Sequence, residues 1–266
     1  MKVDIGHCEI NIEISGSLTG PVVLMAHSLG CDLHMWDPQM ALLEADFRVV
    51  RLDMRGHGQS DSPTGPYSLD ELADDVIAVM DRQGIAQAHW VGLSIGGMFG
   101  QSLLLRYPQR FLSAVLCDTM SALPDNSSLM WKERIAKVEA DGLSSIKQGT
   151  LERWFTPIFL ASGGAALDAV SAQIDRATDA GYVACCHAIT GLDFIDQLST
   201  IKTDILLIVG AEDVATPVAA SEAMHDRIPH SELVILPAAA HIANVEQTDA
   251  FNAAMGPFLR RSAGIM

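Results

Sequence analysis

The stretch Val91-Gly92-Leu93-Ser94-Ile95-Gly96-Gly97 sits between an apolar run, Ala88–Val91, and a helix-like segment, Met98–Arg106, that Tyr107-Pro108 closes. Strand, sharp turn, helix is a demanding order. It raises a serine hydroxyl on a strained bend, and a side chain at position 92 or 96 would collide where the two backbones approach. The spacing singles out Ser94 as a candidate nucleophile. A Gly-x-Ser-x-Gly string also arises by chance in glycine-rich turns, so its weight comes from this context and from partners elsewhere in the chain.

The rest of the chain supplies a matching scaffold. Glu9–Ser15 alternates like a half-buried strand near a sheet edge. Val22–Met25 is continuously apolar, as in a sheet buried on both faces, and Val49–Leu52, Ala114–Cys117, Ile205–Val209 and Leu233–Leu236 are further strand-like runs. Between them lie helical segments. Trp36–Leu43 is short. Ser68-Leu69-Asp70-Glu71 is a capping box ahead of Leu72, Ala73, Val76, Ile77 and Met80, spaced for one buried face. Pro217 opens a helix to Arg227, and a final amphipathic helix runs towards Arg260. This alternation predicts an α/β protein: a mostly parallel sheet with helices on both faces.

The rhythm breaks once. From Ser121 to about Cys186 the apolar spacing fits only helices, with candidates at Leu129–Glu139, Leu143–Phe155 and Ala165–Ala177. A segment of that length is too long for an unstructured loop and reads as an inserted helical cap. The expected organisation is core (1–120), cap (121–186) and core again (187–266).

Composition removes several function classes. The formal net charge of −16 disfavours binding to nucleic acid or to an anionic membrane. Five cysteines lack zinc spacing, no His-Glu-x-x-His string occurs, and no metal site is expected. The glycine run after Val91 is not a dinucleotide fingerprint, so no cofactor is expected either. Reduced thiols, no apolar leader at Met1-Lys2-Val3-Asp4 and no membrane-length run point to a cytoplasmic protein.

A serine hydroxyl needs a base, and the base needs an orienting acid. Asp213, in Gly210-Ala211-Glu212-Asp213, follows one strand, and His241 follows the last. Both belong at the carboxyl edge of the sheet, where Ser94 stands. His27 and His57 occupy loops on the same edge and compete for the role of base. Both precede Ser94, and His27 is expected to brace the loop after Val22–Met25 while His57 braces its own turn. Asp118 is the rival acid. Charge developing on a substrate carbonyl oxygen needs preorganised donors, expected from the backbone N–H groups of Leu29 and Ile95.

His27-Ser28-Leu29-Gly30, Asp53-Met54-Arg55-Gly56-His57-Gly58-Gln59-Ser60 and Gly92–Gly97 resemble the α/β-hydrolase superfamily over nearly the whole chain outside the cap. Four further strings are similar to the 3-oxoadipate enol-lactonases: Leu33-His34-Met35-Trp36-Asp37-Pro38-Gln39, Arg153-Trp154-Phe155-Thr156-Pro157, Gly181-Tyr182-Val183-Ala184-Cys185-Cys186 and Ala240-His241-Ile242-Ala243-Asn244-Val245-Glu246-Gln247. The resemblance implies an eight-stranded sheet and a Ser94–His241–Asp213 triad. The implied partner is a small anionic lactone, opened by water in aromatic-compound breakdown. It also sets the chain apart from relatives with an aspartate nucleophile. The lactone's carboxylate calls for a cation, and the cap offers Lys132, Arg134, Lys137 and Arg153, with Arg134 the leading candidate and Arg153 next. Trp131 and Trp154 fit either pocket wall or cap core. Carboxylesterase, carbon–carbon bond hydrolase and cofactor-free haloperoxidase activities share the same fold and triad; a non-enzymatic binding protein is the remaining alternative.

Overall fold

The structure is a computed structural model describing residues 1–125 and 127–265. Eight described strands form one sheet: β1 (Lys2–Asp4), β2 (Glu9–Gly16), β3 (Val22–Ala26), β4 (Arg48–Leu52), β5 (Ala88–Leu93), β6 (Phe111–Cys117), β7 (Asp204–Gly210) and β8 (Ser231–Leu236). Their spatial order is β1-β2-β4-β3-β5-β6-β7-β8. The strands from β4 through β8 in that order run parallel, and only β2 and β1 are added antiparallel. The central strand β5 is buried along its whole length, including its one polar residue, His89, whose Nδ1 pairs with Ser113 Oγ at 2.8 Å. β1 escapes a reading by pattern because it is three residues long with a single buried position, Val3. It is held instead by pairing with β2.

Helices α1 (Asp37–Leu43), α2 (Leu69–Arg82) and α3 (Ile95–Arg106) follow β3, β4 and β5 in turn. The capping box forms as expected, with Ser68 Oγ accepting from Glu71 N–H and the Glu71 carboxylate accepting from Ser68 N–H. Leu72, Ala73, Val76, Val79 and Met80 are buried, while Ile77 is only half-buried. Deep aromatics tie helices to the sheet: the Trp90 ring of β5 meets Phe99 of α3 edge-on at 5.5 Å.

The cap follows β6. It comprises α4 (Ser127–Asp141), α5 (Lys147–Trp154), α6 (Pro157–Ser162), α7 (Ala165–Arg176) and α8 (Asp179–Thr190). The helix expected over Leu143–Phe155 is divided into a 3₁₀ turn, Leu143–Ile146, and α5. The chain leaves and rejoins the core at one point. Ala122 bridges Asp193, and Phe194 N–H donates to Ser121 O at 2.8 Å. The return expected after residue 186 therefore falls inside α8, whose buried residues continue from Cys185 and Cys186 to Ala188 and Ile189. Gly181 of α8 lies against Gly56 so closely that a Cβ on Gly181 would sit 2.1 Å from Gly56 O. That contact presses cap backbone directly onto a core loop.

Helices α9 (Val218–His225), α10 (Ala243–Glu246) and α11 (Thr248–Ser262) complete the chain. α2 packs on α3, and α11 packs on α1, so the sheet is covered on both faces. Among the described residues no helix is long and apolar enough to cross a membrane.

Candidate active site

Ser94 is the residue between β5 and α3, with φ 58° and ψ −117°. A non-glycine residue in that region carries strain of about 1–3 kcal/mol and persists only where its surroundings enforce it. Here they do. Ser94 N–H donates to Cys117 O at 2.9 Å, and Ser94 O accepts from Thr119 Oγ1 at 2.8 Å and from Met98 N–H at 2.9 Å. The flanking glycines make the bend sterically possible: a Cβ on Gly92 would lie 2.2 Å from Gly96 O, and one on Gly96 would lie 2.6 Å from Ala26 O.

His241 and Asp213 come together from the loops after β8 and β7. His241 Nδ1 lies 2.9 Å from Asp213 Oδ2, an arrangement in which Nδ1–H donates and Nε2 keeps its lone pair. Asp213 is itself fixed. Its Oδ1 accepts from Ala215 and Thr216 N–H at 2.7 and 3.0 Å, and its Oδ2 from Thr216 Oγ1 at 2.6 Å. Burial opposes ionisation of this carboxyl, but the adjacent His241 and the bonds from His241 and Thr216 outweigh it and hold the pKa below the usual carboxylate value.

Asp118 has the opposite environment. One oxygen accepts from Gly210 N–H at 2.8 Å, and the other has no partner among the described residues. Burial, and then the neighbouring Asp213 charge, push its pKa well above the usual range, a shift in favour of the neutral form. It makes no bond to His241. The geometry thus pairs His241 with Asp213, the acid preferred from the Gly-x-x-Asp-x-x-Thr-Pro sequence around it, and leaves Asp118 bonded to Gly210.

Ser94 and His241 line the same cavity, although no hydrogen bond joins the hydroxyl to the imidazole among the described residues. Such bonds commonly tighten only when substrate is in place. Leu29, in the loop after β3, lines the cavity as well, and Ile95 opens α3, where a helix leaves its first N–H groups unused. Neither N–H has a protein acceptor among the described residues.

The Leu29 loop is cross-braced as well as self-braced. His27 donates through Nδ1–H to Ser28 O at 2.8 Å, but its Nε2 accepts from Met54 N–H, in the loop after β4, at 3.1 Å. Conversely, His57 Nε2 accepts from Gly30 N–H at 3.0 Å. His57 also serves its own turn, as expected, with Nδ1–H donating to Arg55 O at 3.5 Å, and in addition each histidine reaches into the other's loop. Burial, reinforced by neighbouring His27, lowers the His57 pKa to about 3, so the ring is a neutral acceptor.

The cavity, about 330 Å³, lies between this sheet edge and the cap. Trp131, Trp154, Arg134 and Arg153 all line it. Trp154 is buried and serves both as wall and as cap core; Trp131 is half-buried. Arg134 donates from Nε to Tyr182 Oη at 2.6 Å and from Nη2 to Thr150 Oγ1 at 2.8 Å. Arg153 Nη1 lies 4.0 Å from Met130 Sδ, its one side-chain hydrogen-bond contact among the described residues. Neither guanidinium has a carboxylate partner among the described residues. Lys137 is paired with Asp141 at 3.2 Å, and neither it nor exposed Lys132 lines the cavity. Tyr182 was not singled out by sequence, though it stands within one of the cap strings. Its buried ring walls the cavity, and a Cβ on Gly30 would touch that ring at 3.4 Å.

One group of potential metal ligands occurs among the described residues: His7, Cys8 and Asp75. Arg55 already occupies it, pairing with Asp75 and placing Nη2 2.8 Å from His7 Nε2. None of the three lines the cavity.

Residues 21–159 match the family model for the alpha/beta hydrolase fold, and residues 173–263 match a TAP-like protein model. The chain is 36% identical to 3-oxoadipate enol-lactonase 2 of Acinetobacter baylyi, covering 95% of this chain and 93% of that one. It is 29% identical to a putative carbamate hydrolase RutD from a Caulobacter species, covering 91% of each. Among solved structures, the enol-lactonase of Burkholderia xenovorans superposes with a TM-score of 0.94 at 33% identity, covering 97% of this chain and 99% of that one. With the strained serine, the sheet order and these likenesses in agreement, the chain belongs to the α/β-hydrolase superfamily, as a serine-hydrolase-type member closely related to the 3-oxoadipate enol-lactonases.

Proposed function

We propose that this protein hydrolyses 3-oxoadipate enol-lactone to 3-oxoadipate in the breakdown of protocatechuate and catechol, with Ser94, His241 and Asp213 as its catalytic triad. The observation that carries the reading is the pair of guanidiniums, Arg134 and Arg153, facing the cavity of Ser94 and His241 without a carboxylate partner among the described residues. An acidic protein holding two such cations over a serine is arranged for an anionic acyl substrate. The five cysteines, all unpaired, fit a reducing compartment such as the cytoplasm.

The chemistry follows from the positions. The lactone carboxylate binds the arginines under the cap, with Trp131 and Trp154 walling the ring. His241 Nε2 takes the Ser94 proton as Oγ attacks the lactone carbonyl, and Asp213 stabilises the resulting imidazolium. The carbonyl oxygen, now negative, lies towards the Leu29 and Ile95 N–H groups. Collapse breaks the ring C–O bond. The departing enolate needs less acid assistance than an alkoxide; it takes the proton from His241 Nε2, which frees the base, and the resulting enol becomes the ketone. Water then attacks the acyl-serine, His241 removes its proton, and Ser94 leaves with that proton restored.

The relatives named as putative carbamate hydrolases supply a second reading, in which a small carbamate is cleaved by the same residues. Steady-state kinetics on the enol-lactone, a neutral aryl ester, a ring-cleavage dienone acid and a simple carbamate separate these. The lactone is expected to show the highest kcat/KM, and a preference for neutral esters or carbamates would overturn the lactonase reading. Ser94→Ala should lower lactone kcat by about 10⁴-fold or more while the protein still folds and binds. Unchanged turnover would remove Ser94 from the mechanism.

A further inference from the structure

His241 is fixed in rotation by Asp213 and Thr216, but its place along the chain is set by the residues on either side. Both are tied to the cap. Ile242 N–H donates to Trp154 O at 3.1 Å. Ala240 N–H donates to Glu246 Oε2 at 2.8 Å, and the other oxygen of Glu246 accepts from Thr156 N–H at 3.0 Å and from Thr156 Oγ1. The segment so gripped, Trp154–Thr156, is the junction where α5 ends and α6 begins. It carries Trp154 of the cavity wall and follows Arg153 directly.

From this geometry we propose that Glu246 is a positioning residue that locks the Trp154–Thr156 junction of the cap to the loop carrying His241. Seating the cap and aligning the imidazole with Ser94 are then one event. The choice of side chain supports the role. Three donors converge on two oxygens, which suits a carboxylate. A glutamine of the same size would turn its NH₂ towards one of those donors and lose that arm. The link also leaves α5 tethered at its C-terminal end, so substrate entry is left to the remainder of the cap.

The inference rests on the reading of His241 as base, and it is tested without relying on the identity of the substrate. A neutral fluorophosphonate reports how readily Ser94 is activated. Wild-type protein labelled at Ser94, with labelling abolished in His241→Ala, establishes the base; labelling that survives in His241→Ala would overturn the base reading and this inference with it. Given that base, Glu246→Gln should slow both phosphonylation and kcat by up to about 100-fold, the scale of a small misplacement of a catalytic group. KM for the preferred substrate should change by less than about three-fold. Thr156→Ser, which keeps the hydroxyl, should retain wild-type rates. Thr156→Val should slow them, and adding it to Glu246→Gln should give little further loss, because both act through one link. Wild-type rates in Glu246→Gln, or additive losses in the double variant, would overturn the proposal while leaving the base in place.

Discussion

The cavity has two walls built on different principles. The sheet-edge wall is made of committed backbone. Ser94 holds a positive φ, its N–H and carbonyl are both bonded, and His27 and His57 are each used to pin the opposite loop. The cap wall is made of side chains on helices, where Arg134 and Arg153 have no carboxylate partner among the described residues and Met130 remains exposed. Reactivity needs atoms held to within a fraction of an ångström, and backbone crowding supplies that. Selectivity needs a matching charge and shape, which side chains supply without disturbing the bend beneath them.

If that division is right, the largest effect belongs to the sheet edge. Asp213→Asn should reduce turnover by about 10⁴-fold, the loss expected when the orienting acid of such a triad is neutralised. Asp118→Asn should stay within about three-fold at pH 7, since burial already favours the neutral form of this carboxyl and the amide keeps an acceptor for Gly210 N–H. A larger loss at Asp118 than at Asp213 in parallel assays would reverse the assignment of the acid.

A change in the cap wall should be selective rather than lethal. Arg134→Met and Arg153→Met should each raise KM for the anionic lactone by about 10- to 100-fold, as expected when one partner of a desolvated ion pair is removed. Turnover of a neutral aryl ester should remain near wild type. Equal losses on both substrates would show that the arginines support structure instead of reading charge.

The smallest effect is a change in pH dependence at a brace. His57 is neutral in the folded protein, with a pKa of about 3 against an ordinary value of 6.5. Its contribution is therefore fully present above pH 6.5 and is lost as pH falls towards 3, because the unfolded chain takes up the proton first. His57→Gln keeps an acceptor for Gly30 N–H and titrates in neither state. Its Tm should fall less than that of wild type between pH 7 and pH 4, and parallel slopes would refute the neutral brace.

Much was legible in sequence because it is local. Gly92, Ser94 and Gly96 act over five residues, so the bend could be read directly. The Ser68–Glu71 capping box spans one turn, and the buried runs announce strands by composition alone. The apolar spacing after Ser121 likewise announced helices, but their return to the core depended on Ala122 meeting Asp193, which no periodicity encodes. β1 was too short to carry a pattern.

Sequence by itself determined the strand–bend–helix around Ser94, the alternating α/β scaffold and the single helical interruption. Each follows from steric or hydrophobic preferences acting between near neighbours. Only the tertiary structure decided how Asp213 is bonded to His241 while Asp118 turns to Gly210, that His27 and His57 reach into each other's loops, and that Arg134 and Arg153 share a cavity with Ser94. Those pairings join segments far apart in the chain. They are set by the order in which strands sit side by side and by where the cap comes to rest, and one-dimensional spacing carries neither.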